Sequence, residues 1–328
     1  MSKILVTGAT GFTGGHLARR LAKDGHDVRT LARAHEDCTD LEAAGIEVIR
    51  GDLRDPNTLP AAVQHVEIVY HIAAAFREEG VPRQFFWDVN VEGTRNLMDA
   101  CIPAGIKRFV HCSTVGVQGE IKNPPATEEA PYNPGDHYQS SKVDGEKLVL
   151  RYIQEKAFPA VIFRPVGIYG PGDTRFLKLF RFARKGRFPM LGSGNVLYHL
   201  TYIDDLVGGI ILTGTVPNIQ GEIFTLGGAE YVMLNELVQL IGEALDKSVS
   251  IKHFPVWPVW LSGAVCEMLC RPFGINPPLY RRRVDFFIKD RAFDITKAKS
   301  RLGYAPKVDL KSGLKRTAEW YNQKNLLD

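Results

Sequence analysis

Only five cysteines occur in 328 residues (Cys38, Cys101, Cys112, Cys266 and Cys270), and no two of them form a C-x-x-C pair. That count supplies no even disulfide framework, and scattered thiols in a chain this long imply a reducing compartment. Cys266 and Cys270 stand one helical turn apart in an apolar stretch, where no histidine pattern completes a metal site. Core packing is expected of them, and no metal is expected anywhere. Charge of one sign is also lacking: 41 Lys and Arg face 37 Asp and Glu, a net of +4. So mild and dispersed a surplus points to no nucleic-acid partner. Its one cluster, Arg281-Arg282-Arg283, reads either as a solvated helix face or as an anion site.

Long hydrophobic runs are missing as well. The longest apolar stretch, Phe254 to Cys270, is interrupted by Pro255, Pro258 and Glu267 and falls short of a membrane span. Burial in a substrate lobe is expected for it, with a membrane-surface or lipid contact as the alternative. The first apolar run is too short for a signal peptide and ends in a glycine turn, so a cytoplasmic location is expected. No internal repeat or low-complexity tract occurs. Hydrophobic content of 45% and charged content of 24% are those of an ordinary soluble globular protein, with enough chain for one large core or two modest ones.

What is present is concentrated at the start, in Lys3-Ile4-Leu5-Val6-Thr7-Gly8-Ala9-Thr10-Gly11-Phe12-Thr13-Gly14. A β-branched apolar run stops at a glycine, three glycines repeat at every third residue, and Leu17, Leu21 and Ala22 continue at helical spacing. This reads as strand, tight turn, helix. The glycines let the backbone approach a pyrophosphate, and the helix N-terminus supplies unpaired N–H groups and positive dipole. The spacing G-x-x-G-x-x-G departs from G-x-G-x-x-G, and a purely structural turn uses the same residues.

A second strand, Asp27 to Arg33, ends in arginine where an NAD site would carry an acid; Glu36 and Asp37 follow slightly late. Arginine there suits a 2′-phosphate, and one charge-assisted hydrogen bond contributes roughly 1.5–3 kcal/mol, about ten- to a hundredfold. NADP(H) is therefore preferred, with NAD(H) the alternative and a plain surface arginine the bland one. Further strands are predicted at Ile46–Ile49, Ile68–Ile72, Arg108–Cys112 and Ala160–Arg164. Asp52 follows the third where an adenine would lie, Ala73-Ala74-Ala75 follow the fourth as a second cofactor wall, and Ser113-Thr114 end the fifth. Alternation of strands and helices predicts a parallel sheet covered on both faces, with ligands at the carboxyl ends of its strands. Beyond Gly170-Pro171-Gly172-Asp173 the alternation breaks down, although the helix after Asp204-Asp205 and the strand Glu222–Leu226 are expected to return to the first unit. The fold class is α/β: a Rossmann-type doubly wound sheet with a smaller mixed C-terminal substrate lobe. Residues 1–170, rejoined by about 200–228, form the dinucleotide domain, and 171–199 with 229–328 form the lobe.

Tyr138 and Lys142 share one face of the next helix. Beside Ser113 or Thr114 and a nicotinamide they complete a set for hydride chemistry at a carbinol. Bringing a phenol from a pKa of about 10 to about 7 takes roughly 4 kcal/mol. An ammonium ~5 Å away at an effective dielectric of ~20 supplies about 3 kcal/mol. Lys142 is expected to provide most of that shift, with the oxidised nicotinamide and a Thr114 hydrogen bond providing the rest, and also to hold the nicotinamide ribose. In reduction the same tyrosine gives its proton to the forming alkoxide.

In combination, these motifs resemble the extended short-chain dehydrogenase/reductase family, which contains nucleotide-sugar epimerases and dehydratases. The matching pieces are Thr7 to Gly14, Gly51-Asp52-Leu53, His71-Ile72-Ala73-Ala74, Asn90-Val91-Glu92-Gly93-Thr94, Ser113-Thr114, Tyr138 with Lys142, Arg164-Pro165, Tyr169-Gly170-Pro171, and Tyr202-Ile203-Asp204-Asp205. The resemblance implies that Tyr138 is the catalytic acid/base, Lys142 its partner and Thr114 the hydroxyl on the reacting oxygen. It implies cofactor contacts at Gly8, Thr10, Gly11, Phe12, Thr13, Gly14, Arg33, Asp52, Leu53, Ala73, Ala74, Asn90, Ser113, Tyr138, Lys142 and Pro165. It also makes a homodimer compatible with this chain.

Sugar-nucleotide members carry an asparagine, which holds a substrate phosphate, two residues before the tyrosine of the Tyr-Gly-Pro turn; here that position is Gly167. The Arg164-Pro165-Val166-Gly167-Ile168-Tyr169-Gly170-Pro171 form looks more like the 3β-hydroxysteroid dehydrogenase and dihydroflavonol-reductase branch. Trp257, Trp260 and Pro277-Pro278-Leu279-Tyr280 give the second lobe bulky apolar material. The expected activity is an NADP(H)-preferring oxidoreductase acting on a secondary alcohol or ketone of an apolar or ring-bearing small molecule. The rivals are a nucleotide-sugar epimerase with tightly held cofactor and a non-catalytic cofactor sensor.

Overall fold

The computed structural model describes residues 2–76, 81–270 and 284–327. The first strand, β1 (Lys3–Thr7), is buried from Ile4 onward because helices cover both faces of its sheet. After it come α1 (Phe12–Lys23), β2 (Asp27–Ala32), α2 (Thr39–Ala43), β3 (Glu47–Arg50), α3 (Leu59–Val63), β4 (Ile68–His71) and α4 (Arg83–Trp87). One π-helical turn, Asp88–Glu92, leads into α5 (Gly93–Ala104), then β5 (Arg108–Cys112), α6 (His137–Lys156) and β6 (Ala160–Pro165).

The chain then leaves the main sheet for β7 (Gly167–Tyr169), α7 (Leu177–Arg184), β8 (Arg187–Leu191) and β9 (Leu197–Tyr202). It returns through α8 (Ile203–Thr215) and β10 (Ile223–Leu226), and continues with β11 (Tyr231–Met233), α9 (Leu234–Ala244), β12 (Ser250–Phe254) and α10 (Trp257–Cys270). The described helices end with α11 (Asp285–Ile288), α12 (Thr296–Leu302) and α13 (Leu310–Gln323).

Seven strands form one parallel sheet in the order β10-β6-β5-β4-β1-β2-β3. The Rossmann-type expectation is met, and β10 pairs with β6 from far along the sequence. The order reverses between β1 and β4, so the crevice at their carboxyl ends is the natural ligand position of such a sheet. Two small sheets, β11-β9-β7 and β12-β8, lie apart from it.

Local signals start these helices. Leu17, Ala18 and Leu21 form the buried stripe of α1. The Asp136 carboxylate accepts from the Gln139 N–H at 2.5 Å and starts α6, the helix of Tyr138 and Lys142. Asp55 caps a short 3₁₀ turn.

One expectation is corrected. The apolar stretch ending at Cys270 is not buried: in α10 only Gly263 is buried, and Cys266 and Cys270 are half-buried. Trp257, Leu261, Met268 and Leu269 of that helix are largely exposed.

Candidate active site

The glycine turn is built by close approach. Gly8 has φ +75°, and a Cβ there would stand 2.8 Å from Ala73 Cα and N. A Cβ on Gly14 would stand 2.2 Å from the Gly8 carbonyl. The turn, α1 and the Ala73-Ala74 wall after β4 are therefore packed backbone to backbone. At α1 the N-cap is Gly11, no side chain caps the helix, and no acid lies in its first turn. Its leading N–H groups face the crevice unpaired by side chains, the arrangement that receives a pyrophosphate. A cleft of about 140 Å³ is lined by Ala9, Thr10, Gly11, Arg19, Asp37 and Asp40. These features fit a dinucleotide.

At the end of β2, Arg33 is nearly half exposed and is not a lone surface cation. Its side chain pairs with Glu36 at 3.0 Å, and the Glu36 carboxylate also takes the Thr10 hydroxyl at 3.2 Å. Burial opposes the Glu36 charge, but hydrogen bonds from the Arg33 main chain and side chain and from Thr10 outweigh it and hold the carboxyl below its ordinary value. The acid that stood slightly late in sequence thus reaches the turn. Asp52 is bound by Arg54 at 2.7 Å, and this side-chain hydrogen bond holds it low against burial. Leu53 is buried against Gly93, and Phe12 and Thr13 are half-buried at the start of α1.

At the other end of the crevice the Thr114 hydroxyl lies near the Tyr138 phenol and acts on its ionisation, and it accepts from the Gly116 N–H at 3.1 Å. The Phe76 ring stands edge-on to Tyr138 with centroids 4.9 Å apart. Burial pushes the phenol well above its ordinary value. Charges at Cys112 and Asp136 add to the shift, while Arg175 and the Thr114 hydrogen bond act against it.

The Tyr138–Lys142 pairing suggested by spacing takes a different form. The Lys142 ammonium donates to the Cys112 carbonyl at 2.6 Å, and burial lowers its pKa against the charges of Cys112 and Glu146. Desolvation acts on both groups and outweighs the attraction expected between them. Burial thus favours the protonated form of the phenol.

Two expected cofactor contacts have side chains engaged elsewhere. Ser113 donates to Glu146 at 2.5 Å. Asn90 accepts from the Ala75 N–H at 2.8 Å and donates to the Ser141 hydroxyl at 2.9 Å, tying the Ala wall to α6. Pro165 is buried at the end of β6, paired with Leu226. Gly167 has its Cβ direction closed by β9, with Leu200 Cδ2 at 2.6 Å and the His199 carbonyl at 3.3 Å.

Three residues escaped the sequence reading. Phe76 ends the small-residue run after β4. Arg175 binds Asp173 and the Ile168 carbonyl, stacks on Phe12 and acts on Tyr138. Glu146 lies one turn beyond Lys142, a spacing that was legible. Arg281 to Arg283 and Pro277 to Tyr280 lie outside the described residues.

A family model, the NAD dependent epimerase/dehydratase family, matches residues 4–227. Among curated relatives, a 2-alkyl-3-oxoalkanoate reductase of Stenotrophomonas maltophilia is 32% identical over 96% of this chain and 98% of its own. A 3 beta-hydroxysteroid dehydrogenase/Delta 5-->4-isomerase of Mycobacterium tuberculosis is 31% identical over 98% and 90%. The solved UDP-glucuronic acid 4-epimerase of Bacillus cereus in complex with NAD superposes with a TM-score of 0.79 at 26% identity, covering 99% of this chain and 98% of that one.

Proposed function

Because the chain belongs to the NAD dependent epimerase/dehydratase family and is an NAD(P)-dependent oxidoreductase of the extended short-chain type, we propose that it interconverts a secondary alcohol and a ketone on an apolar or ring-bearing small molecule. The observation that carries this reading is the Thr114–Tyr138 hydroxyl pair, held at the sheet edge under the Phe76 ring. A neutral phenol beside an apolar ring suits donation of a proton to a forming alkoxide in a poorly hydrated pocket.

The cofactor supplies the hydride at its nicotinamide. The leading N–H groups of α1 with Gly8, Thr10 and Gly11 would hold its pyrophosphate, Asp52 and Leu53 would flank the adenine, and Ala73-Ala74 would form the wall. Arg33 supports a preference for NADP(H), since it follows β2 and is tied through Glu36 to Thr10 of the glycine turn. Glu36, anchored on Thr10, offers a carboxylate for ribose hydroxyls and keeps NAD(H) usable. Tyr138 gives its phenolic proton to the substrate oxygen in reduction; oxidation would require its phenolate, which burial disfavours, so the site favours the reductive direction. Thr114 orients that oxygen, and Lys142 braces the strand end through the Cys112 carbonyl. Substrate selection belongs to the lobe of residues 171–199 and 229–328, set against the dinucleotide domain of 1–170 and 200–228.

Gly167 supports an apolar substrate over a sugar diphosphate. Any side chain at that position would push into β9, so a phosphate-binding amide has no room there. The reading is tested by incubating the enzyme with NADPH or NADH and a series of alicyclic and β-keto compounds. Net loss of nicotinamide absorbance is expected. Turnover of a UDP- or GDP-sugar with no net cofactor consumption would instead establish the epimerase, and cofactor binding with no turnover of either class would leave a sensor.

A further inference from the structure

Arg175 stands far along the chain from the glycine turn, yet the fold sets it against that turn. The segment between β7 and α7 rests on the start of α1. There the His16 Nε2 and the Pro171 carbonyl are 3.1 Å apart, and a Cβ on Gly172, whose φ is +99°, would stand 3.3 Å from the Phe12 ring. The Arg175 guanidinium lies over that ring, 5.5 Å from its centroid. Phe12 is the first residue of α1, the helix whose leading N–H groups no side chain caps.

The guanidinium is held in place on one side. Its Nε donates to the Asp173 carboxylate at 2.5 Å and its Nη2 to the Ile168 carbonyl at 2.9 Å. Asp173 is 3% exposed and Arg175 28%, so a buried anchor carries a partly open cation. Nη1 has no hydrogen-bond partner among the described residues. A planar fork fixed in this way loses little freedom when it takes one more acceptor. Other described cations of the crevice are engaged: Arg33 pairs with Glu36, and Lys142 donates to the Cys112 carbonyl. Arg19 lines the neighbouring cleft together with Asp37 and Asp40. The Arg175 charge also acts on Tyr138, in keeping with a place beside the crevice.

Resting on the reading that the pyrophosphate lies at the α1 N-terminus, we propose that Arg175 is a further cofactor-binding residue, donating from Nη1 to a phosphate oxygen of the dinucleotide. The anion is then held from two sides, by main-chain N–H groups of α1 and by a guanidinium from the segment after β7. Both cofactors carry this diphosphate, so the contact raises affinity for NADPH and NADH alike, in contrast to Arg33. It also links the 170–176 segment to cofactor occupancy.

Nicotinamide fluorescence titration of the full chain with NADPH and with NADH tests this. Arg175→Met is expected to weaken both by the same factor, about ten- to a hundredfold. That variant leaves the Asp173 carboxylate buried without its partner, so Asp173→Asn with Arg175→Met is titrated beside it, its folding checked by circular dichroism and thermal midpoint. Affinity should fall more steeply with salt in the parent than in the double variant, a difference that a merely structural role would not produce. In hydrogen exchange, either cofactor should slow the main-chain amides of residues 170–176 in the parent and not in the double variant. A folded double variant that binds both cofactors like the parent overturns the proposal and leaves the pyrophosphate at α1. A loss confined to NADPH also overturns it, by assigning Arg175 to the 2′-phosphate. So does unchanged cofactor affinity with a raised KM for ketones bearing a carboxylate, which gives the guanidinium to the substrate. A parent that binds neither dinucleotide removes the underlying reading, and the proposal with it.

Discussion

The Arg164 guanidinium and the Glu146 carboxylate, 2% and 0% exposed, meet directly beneath the Tyr138 helix. Glu146 lies one turn beyond Lys142 on α6 and Arg164 at the end of β6, so their pairing ties the helix to the sheet edge. The same carboxylate accepts the Ser113 hydroxyl at 2.5 Å and the Tyr132 hydroxyl at 2.7 Å, and Arg164 also donates to the Glu128 carbonyl at 2.9 Å. Removing one charge of a buried pair strands the other and costs about 3–5 kcal/mol. Arg164→Met is expected to destabilise the fold by that amount in urea unfolding. Adding Glu146→Gln, which removes the stranded charge and keeps one acceptor oxygen for a hydroxyl, should restore part of the loss. A double variant as unstable as the sum of the singles would mean that the two residues act independently.

Tyr138→Phe removes the proton donor and leaves the Phe76 contact. Turnover should fall about 10²–10⁴-fold, with cofactor affinity changed no more than a fewfold. The phenol itself can be followed by ultraviolet difference titration of the parent against this variant. Since burial pushes it above its ordinary value of 10.0, no phenolate from Tyr138 is expected below that pH. A phenolate band appearing near neutrality in the protein alone would show that Lys142 governs the phenol after all.

At the glycine turn, Gly14→Ala places a methyl group 2.2 Å from a main-chain carbonyl. Overpacking of this kind costs about 1–3 kcal/mol, and the turn can relax only by moving against Ala73 or α1. Nicotinamide fluorescence titration should show cofactor affinity falling at least about tenfold. An affinity equal to that of the parent would place the pyrophosphate elsewhere.

The Arg33–Glu36 pair makes opposite forecasts for its two members. Arg33→Ala should weaken NADPH by about ten- to a hundredfold and NADH little. Glu36→Gln should shift the preference further toward NADPH, because it removes the competing carboxylate while keeping an acceptor for Thr10. Equal effects on the two cofactors in both variants would make the pair a surface feature.

Acid sensitivity follows from His71. Its imidazole bridges Thr7 and Thr94, each at 2.9 Å, and burial, helped by the Lys142 charge, lowers its pKa from 6.5 to about 3. A base whose folded value is depressed binds its proton first in the unfolded chain. The stabilisation is therefore complete above pH 6.5 and is lost as pH falls toward about 3. The slope is about 1.4 kcal/mol per pH unit for this one group. His71→Gln should flatten the pH dependence of urea unfolding between those limits, and an unchanged slope would show that other groups set it.

The sequence alone determined the order of strands and helices as far as β6, the glycine turn, the α6 helix with Tyr138 and Lys142, and the strand at Ile223–Leu226. Each of these rests on local periodicity, caps and turn residues, which operate within a few positions. Tertiary structure decided the rest. Glu36 reaches Thr10 although it stands too late in the chain, because the turn after β2 folds it back. Ser113 and Asn90 spend their polar atoms on the frame, since buried donors and acceptors take whatever partner packing brings near. Lys142 turns to a strand-end carbonyl, and the phenol rises where spacing suggested a fall, because desolvation depends on everything that encloses a group. The same reason separates α10 from its expected burial: composition makes a helix apolar, but only the arrangement of the other elements leaves its outer face uncovered.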